Sequence, residues 1–377
     1  MKPQLFNRHL LASTIILGLS QPALAVTDEE FKALQEQFNL LADQVEENSQ
    51  KSSSDTTVGG YGELHYNNLS NGAGTDKKIL DFHRFVIMIN HEFNDDIRLF
   101  TEFEIEHAFI SDNNDGSGKT SPGEVEVEQA YVQFDITDNS NINAGIFLMP
   151  VGIINETHEP PTFYGVERNP IEKYIIPATW WEGGTMFSGH YDSGVSYDIA
   201  LTSGLAGGTN IRGGRQKVAN ANASNLALTG RIKYTGVRGL EVAGTVSLQD
   251  DMTQDTSDNI DGATLVETHA RYSIADFTIT GLYARWDIDG VGASSVEKDK
   301  QNGAYLEASY KITPKWGIFL RQNQWDNGGA GDTKKTQSDI GFNYWPHEDV
   351  VIKADYQAQN DIAGNFDGFN LGIGYQF

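Results

Sequence analysis

The chain has 377 residues, no cysteine, and 27 Lys+Arg against 52 Asp+Glu, a formal net charge of -25. Such acidity excludes a nucleic-acid partner, which needs clustered Lys and Arg for its phosphates. The missing cysteine excludes a disulfide scaffold, a thiolate metal site and a cysteine nucleophile.

Lys2 and Arg8 precede an apolar run over 10–19 and the tripeptide Ala23-Leu24-Ala25. A basic start, a short apolar core and an A-x-A site predict a secretory signal peptide over 1–25, cleaved after Ala25. Its loss removes two bases and no acid, so the mature charge is 25 − 52 = −27. Residues 26–50 read as a periplasmic helix. Asp28, Glu29 and Glu30 suit the positive end of a helix dipole. Phe31, Leu34, Phe38, Leu41 and Val45 recur at spacings of 3, 4, 3 and 4. That seam predicts a short trimeric coiled coil, with an amphipathic helix packed on its own domain as the alternative. Residues 51–55 are a serine-rich linker.

From residue 56 to the end the hydrophobic period is two. In 96–110, Ile97, Leu99, Thr101, Phe103, Ile105 and His107 share one face, opposite Arg98, Phe100, Glu102, Glu104 and Glu106. Successive side chains of a strand point to opposite faces, so one face is apolar and the other charged. Arg231 and Lys233 oppose Ile232 and Tyr234, and Lys353 opposes Ile352 and Ala354. Within 124–136 the apolar parity switches between Val127 and Ala130, which a bulge or a strand end above the lipid would explain. No mature segment reaches the roughly 18 apolar residues of a spanning helix. Membrane strands escape that requirement by alternating.

The pattern predicts an all-β, transmembrane antiparallel β-barrel over 56–377 with about sixteen strands, from 56–69 to 366–377. Tight turns such as Asn94-Asp95 and Thr313-Pro314 alternate with long polar connections. Short turns at one end and long loops at the other mark an outer-membrane barrel. An even strand number places both termini, and the 26–50 helix, in the periplasm. In the last strand Phe369, Leu371, Ile373, Tyr375 and Phe377 alternate with polar or small residues, and the chain ends on Phe377. Tyr375 and Phe377 thus resemble the signal read by the bacterial barrel assembly machinery.

The third long connection, 150–183, holds five prolines and the pair Trp180-Trp181. An outer-surface loop should be polar, so this composition predicts a segment packed on something and folded into the lumen. Its candidate lining residues are Glu156, His158, Glu159, Glu167, Arg168, Glu172, Lys173, Trp180, Trp181 and Glu182. The two tryptophans are expected to anchor the loop, with a sugar-stacking platform as the alternative. Candidate lumen charges are Arg98, Glu102, Glu104, Glu106, Arg231, Lys233, Arg321 and Lys353. Five loop acids stand against the two bases Arg168 and Lys173. Fixed pore charges set ion preference, so this count points toward cations or neutral solutes.

Residues 56–377 resemble the phosphate-selective porin O and P family. The resemblance is carried by Tyr61-Gly62, Phe82-His83-Arg84-Phe85, Gln129-Ala130-Tyr131-Val132 and the run from Gly145 to Gly152. It implies a trimeric, sixteen-stranded outer-membrane channel narrowed by its third loop, with anion or phosphate transport. No cofactor is expected. The partners expected are outer-membrane lipid and lipopolysaccharide, small solutes or ions, and two further copies of the chain.

Two other classes leave weaker traces. An enzyme needs a nucleophile with a base, and the chain has no G-x-S-x-G or H-E-x-x-H. The run 112–116 resembles half a calcium loop but lacks the EF-hand spacing, so no metal site is expected. A structural tether or adhesin, with a closed barrel as its anchor, is the alternative function.

Overall fold

The computed structural model describes residues 55–72, 74, 76–108, 123–257, 259–360 and 365–377. The expected signal peptide, the periplasmic helix, most of the linker and the 112–116 segment lie outside the described residues. What is described is a closed barrel of sixteen strands in sequential antiparallel order, β1 pairing with both β2 and β16.

The strands are β1 (Thr56–Asn71), β2 (Lys77–Asn94), β3 (Ile97–Glu106), β4 (Val125–Thr137), β5 (Ser140–Leu148), β6 (Trp181–His190), β7 (Val195–Thr202) and β8 (Ala227–Tyr234). They continue as β9 (Leu240–Gln249), β10 (Ala263–Ile274), β11 (Phe277–Ile288), β12 (Lys300–Thr313), β13 (Trp316–Asp326), β14 (Lys335–His347), β15 (Val350–Asn360) and β16 (Phe366–Gln376).

β9 shows why the chain closes this way. Val242, Val246 and Leu248 are exposed, while Ala243, Thr245, Ser247 and Gln249 are buried. This is the inverse of a soluble protein. An exposed apolar band repeated around the whole wall requires lipid outside, and the polar parity then turns inward. Among the exposed aromatics, Phe93, Tyr191, Tyr272, Phe277 and Trp316 all sit beside short turns. They form the interfacial girdle expected of such a wall. The seam is sealed by the last residue: Gly60 N donates to the Phe377 carbonyl at 3.0 Å and Phe377 N to the Gly60 carbonyl at 2.9 Å.

Two bulges re-aim side chains. Glu102 faces Gln129 but Phe103 faces Val127, so Glu128 is the extra residue and joins Glu102 inside the barrel. This is the parity switch expected in 124–136. In β1 and β2, Glu63 faces Arg84 and Leu64 faces Phe82, which leaves His83 as the extra residue.

Three expectations need correction. β3 ends at Glu106, not at 110. His107 and Ala108 take left-handed φ of 57° and 55°, and His107 turns to Asp81 instead of keeping its lipid-face parity. Trp181 and Glu182 are strand residues, not loop residues. The β5–β6 ladder extends far enough to pair them with Leu148 and Phe147, so the third connection is 149–180. Arg98 and Lys233 lie toward the short-turn end, away from that connection. Arg98 pairs with Asp135, one strand over.

Candidate permeation site

The third connection crosses the barrel interior and touches inward-facing side chains on most of the wall. It begins with a staple. Asn155 Nδ2 donates to the Met149 and Trp180 carbonyls at 2.8 and 2.9 Å, and its Oδ1 accepts from Trp180 N at 2.6 Å. The loop's aliphatic side then packs on inward residues of the wall. Met149, Val151, Ile153, Ile171, Ile175, Ile176 and Trp180 form one buried cluster with Leu265, Leu282, Trp286, Tyr305 and Trp325. That apolar patch explains the aliphatics and prolines seen in the sequence.

The far side of the loop is pinned by hydrogen bonds to its backbone. Arg321 donates to the Tyr164 carbonyl at 3.2 Å, Asn343 to that of Phe163 at 3.0 Å, and Lys353 to that of Gly165 at 2.9 Å. Asp355 accepts from Val166 N at 2.7 Å. Arg321 and Lys353 are therefore committed to the loop. Arg321 also pairs with Asp339 and Glu307, each at 3.1 Å.

Of the five acids counted in 150–183, three on the connection and Glu182 at the start of β6 are also committed. Glu172 is fully buried; it accepts from the N–H groups of Ile153 and Ile154 and from the Tyr305 hydroxyl at 2.9 Å. Glu182 accepts from the Trp180 indole at 2.9 Å and from Ser203. Glu156 pairs with Arg231, which also holds Asp198. Glu167 sits 3.3 Å from His65 and 3.9 Å from Lys173. Burial alone would raise the Glu167 carboxyl, but the His65 contact outweighs it and holds the group well below the usual carboxylate range. Glu159 is half-buried.

His158 is the loop's ionic latch. Its Nδ1 faces the Asn155 carbonyl at 3.1 Å, and its Nε2 faces Glu102 at 3.3 Å and Glu128 at 3.6 Å. With an acceptor at each nitrogen, the ring must donate twice, which only the imidazolium can do. Burial pulls this group down, but Glu102 and Glu128 push it up to about 10.

The cations differ. Arg168 makes no ion pair or hydrogen bond among the described residues, and its Nε is buried without an acceptor. Burial and the neighbouring Arg84 guanidinium lower it. Among the described residues Arg212 donates only to the Lys173 and Ala178 carbonyls, and Arg215 to those of Arg212 and Thr179. Burial, with Arg215 and Arg168 nearby, pulls Arg212 down to about 10. Lys217 pairs with Glu124 at 3.1 Å and with Glu126. Facing these groups are the acids of β3 and β4. Glu104 is buried beside Glu128, with no hydrogen-bond donor at either oxygen among the described residues, and Glu106 is half-buried. A polar cavity of about 70 Å³ lies here, lined by Arg84, Arg168, Lys173 and Arg212 with Glu106, Glu167, His65 and His83.

Trp180 is 1% exposed against Trp286, and Trp181 is 3% exposed beneath Arg215 and Lys217. Neither offers a free face to a sugar, so both act as anchors. Glu63 and His65 were legible from the parity of β1. Arg212 and Arg215 lie in an aperiodic loop with no such signal, and His83 turns inward only because of the bulge.

The chain matches the family described as Gram-negative porin over residues 12–364. It is 28% identical over 344 residues to an uncharacterized protein of Aquifex aeolicus, covering 80% of this chain and 74% of that one. Its fold is similar to that of an anion-selective porin from Comamonas acidovorans: TM-score 0.59, 12% identity, 85% of this chain and 99% of that one. It is also similar to the trimer form of OmpT, an outer membrane protein of Vibrio cholerae: TM-score 0.55, 13% identity, 86% and 100% covered. With a family match across nearly the whole length and a closed sixteen-strand wall that is apolar outside and polar inside, this chain belongs to the Gram-negative porins of the outer membrane.

Proposed function

We propose that the protein is a passive diffusion channel for small hydrophilic solutes and ions, without catalysis or cofactor, and that the third loop narrows its path. The observation that carries this is the loop's position: it spans the interior of a wall wide enough, at sixteen strands, to leave an aqueous lumen. The path passes the polar cavity where Arg168, Lys173 and Arg212 on the loops face Glu106 on the wall. The total of loop acids pointed to cations. Pairing of four of those acids supports a different reading, in which strips of opposite charge face each other. Such a path orients dipolar solutes and gives weak net ion preference. Phosphate preference, as the O and P resemblance implies, draws support only from the loop cations and is opposed by the facing acids.

The long loops face outward and both termini face the periplasm, where 26–50 forms a trimer-supporting helix after signal-peptide removal. The trimer form of the Vibrio cholerae protein supports three copies as the assembly. Tyr375 and Phe377 present the terminal strand to the assembly machinery, and lipid and lipopolysaccharide contact the outer face.

The test is reversal potential in a salt gradient across planar bilayers. Wild type is expected near zero, and Arg168→Gln is expected to shift it toward cations. A strong anion preference with block by phosphate would overturn the facing-strip reading. Absence of any conductance would transfer the case to a structural tether.

A further inference from the structure

The two backbone irregularities described above converge on one spot. The bulge turns His83 inward beside Asp81, and the left-handed turn at the end of β3 brings His107 to the same carboxylate. His107 Nδ1 lies 2.8 and 2.9 Å from the two Asp81 oxygens, and His83 Nδ1 lies 3.3 Å from Oδ2. One ligand atom from each residue fits within a 4.8 Å span. We propose that Asp81, His83 and His107 form a binding site for a divalent transition-metal ion such as Zn²⁺ on the channel wall.

Two imidazoles and one carboxylate are a donor set that zinc, nickel and copper accept. Around a tetrahedral ion with bonds of about 2.0–2.1 Å, neighbouring ligand atoms stand about 3.3–3.4 Å apart. The His83–Asp81 separation already matches. The His107–Asp81 separation needs to open by about half an ångström, which a side chain at a strand end can supply. The site is reachable from the lumen. Asp81, His83 and His107 are each half-buried, and His83 lines the polar cavity between β2 and the third loop. Three protein ligands leave the fourth position open, as in an exchangeable site. The stack of His83 on His65, with ring centres 4.7 Å apart, restrains the His83 ring plane. Simple hydrogen bonding of two imidazoles to one carboxylate would produce the same contacts without metal affinity, and the experiment separates the two.

Zn²⁺ is titrated against the full chain in detergent, in competition with a chromophoric chelator. Wild type is expected to show one site. In His83→Gln and in His107→Gln its affinity falls at least about tenfold, and in His347→Gln, which removes an exposed His–Asp pair on a turn, it is unchanged. Absence of a site in wild type, or wild-type affinity retained in both His83→Gln and His107→Gln, overturns the proposal. Should either variant fail to assemble, judged by heat-modifiable mobility, X-ray absorption on zinc-loaded wild type decides. Two imidazole nitrogens at about 2.0–2.1 Å support the site; a shell without histidine overturns it.

Discussion

Replacing His158 by Gln should release the third loop. The imidazole is 3% exposed and its two carboxylate partners are 1% and 2% exposed. At an effective dielectric of about 20, charges 3.3 and 3.6 Å apart attract by about 5 kcal/mol each. Burial of the three ions takes back several kcal/mol for each. A ring held up to about 10 rather than 6.5 prefers its protonated form by about 5 kcal/mol. Removing one partner of a buried pair costs about 3–5 kcal/mol, because the carboxylates stay behind uncompensated. At about 4 kcal/mol the open fraction of the loop rises roughly 10³-fold. The assay exploits the absence of native cysteine. Val151, fully buried in the loop cluster, is replaced by Cys and its labelling by a small maleimide is timed. Labelling should accelerate by at least two orders of magnitude in the His158→Gln background. The sign with pH follows from the raised value. The latch is complete below about 6.5 and is lost as pH rises through about 10, so labelling of the His158 protein climbs with pH once reagent reactivity is corrected on unfolded chain. An increase of less than tenfold in the variant, or a corrected rate flat to pH 11, would refute the ionic-latch argument.

Deleting 156–179 should enlarge single-channel conductance, and an unchanged value would mean that the loop does not narrow the path. Gly145 holds φ of 136°, and a Cβ there would sit 2.3 Å from the Ala130 carbonyl oxygen and 2.8 Å from Tyr131. Gly145→Ala should therefore strain the β4–β5 ladder and destabilise the barrel by about 1–3 kcal/mol, read as a lower urea midpoint; an unaltered midpoint would contradict that contact. Deleting 28–48 should weaken the trimer while the barrel still assembles, and failure of assembly in that variant would contradict a purely tethering helix.

The sequence alone determined the wall. Side chains along a regular strand alternate, so Val242, Val246 and Leu248 against Ala243, Thr245, Ser247 and Gln249 encode outside and inside residue by residue. Turn residues then set the strand count, and even the bulge at Glu128 left its mark as a parity switch. The inside of the barrel was less legible. The third loop's prolines and aliphatics announced that it packs, but its partners are the far wall. Tyr164 meets Arg321 from a sequence distance of 157 residues and Gly165 meets Lys353 from 188. A count of loop acids could not reveal that Glu172 would be satisfied by its own backbone and Glu156 by Arg231, leaving Arg168 uncompensated. Charge is a property of composition, whereas the field in a pore is what remains after long-range pairing. Only the closed tertiary structure fixes those pairs, just as only the bulge in β2 and the left-handed turn after β3 bring His83 and His107 to one carboxylate.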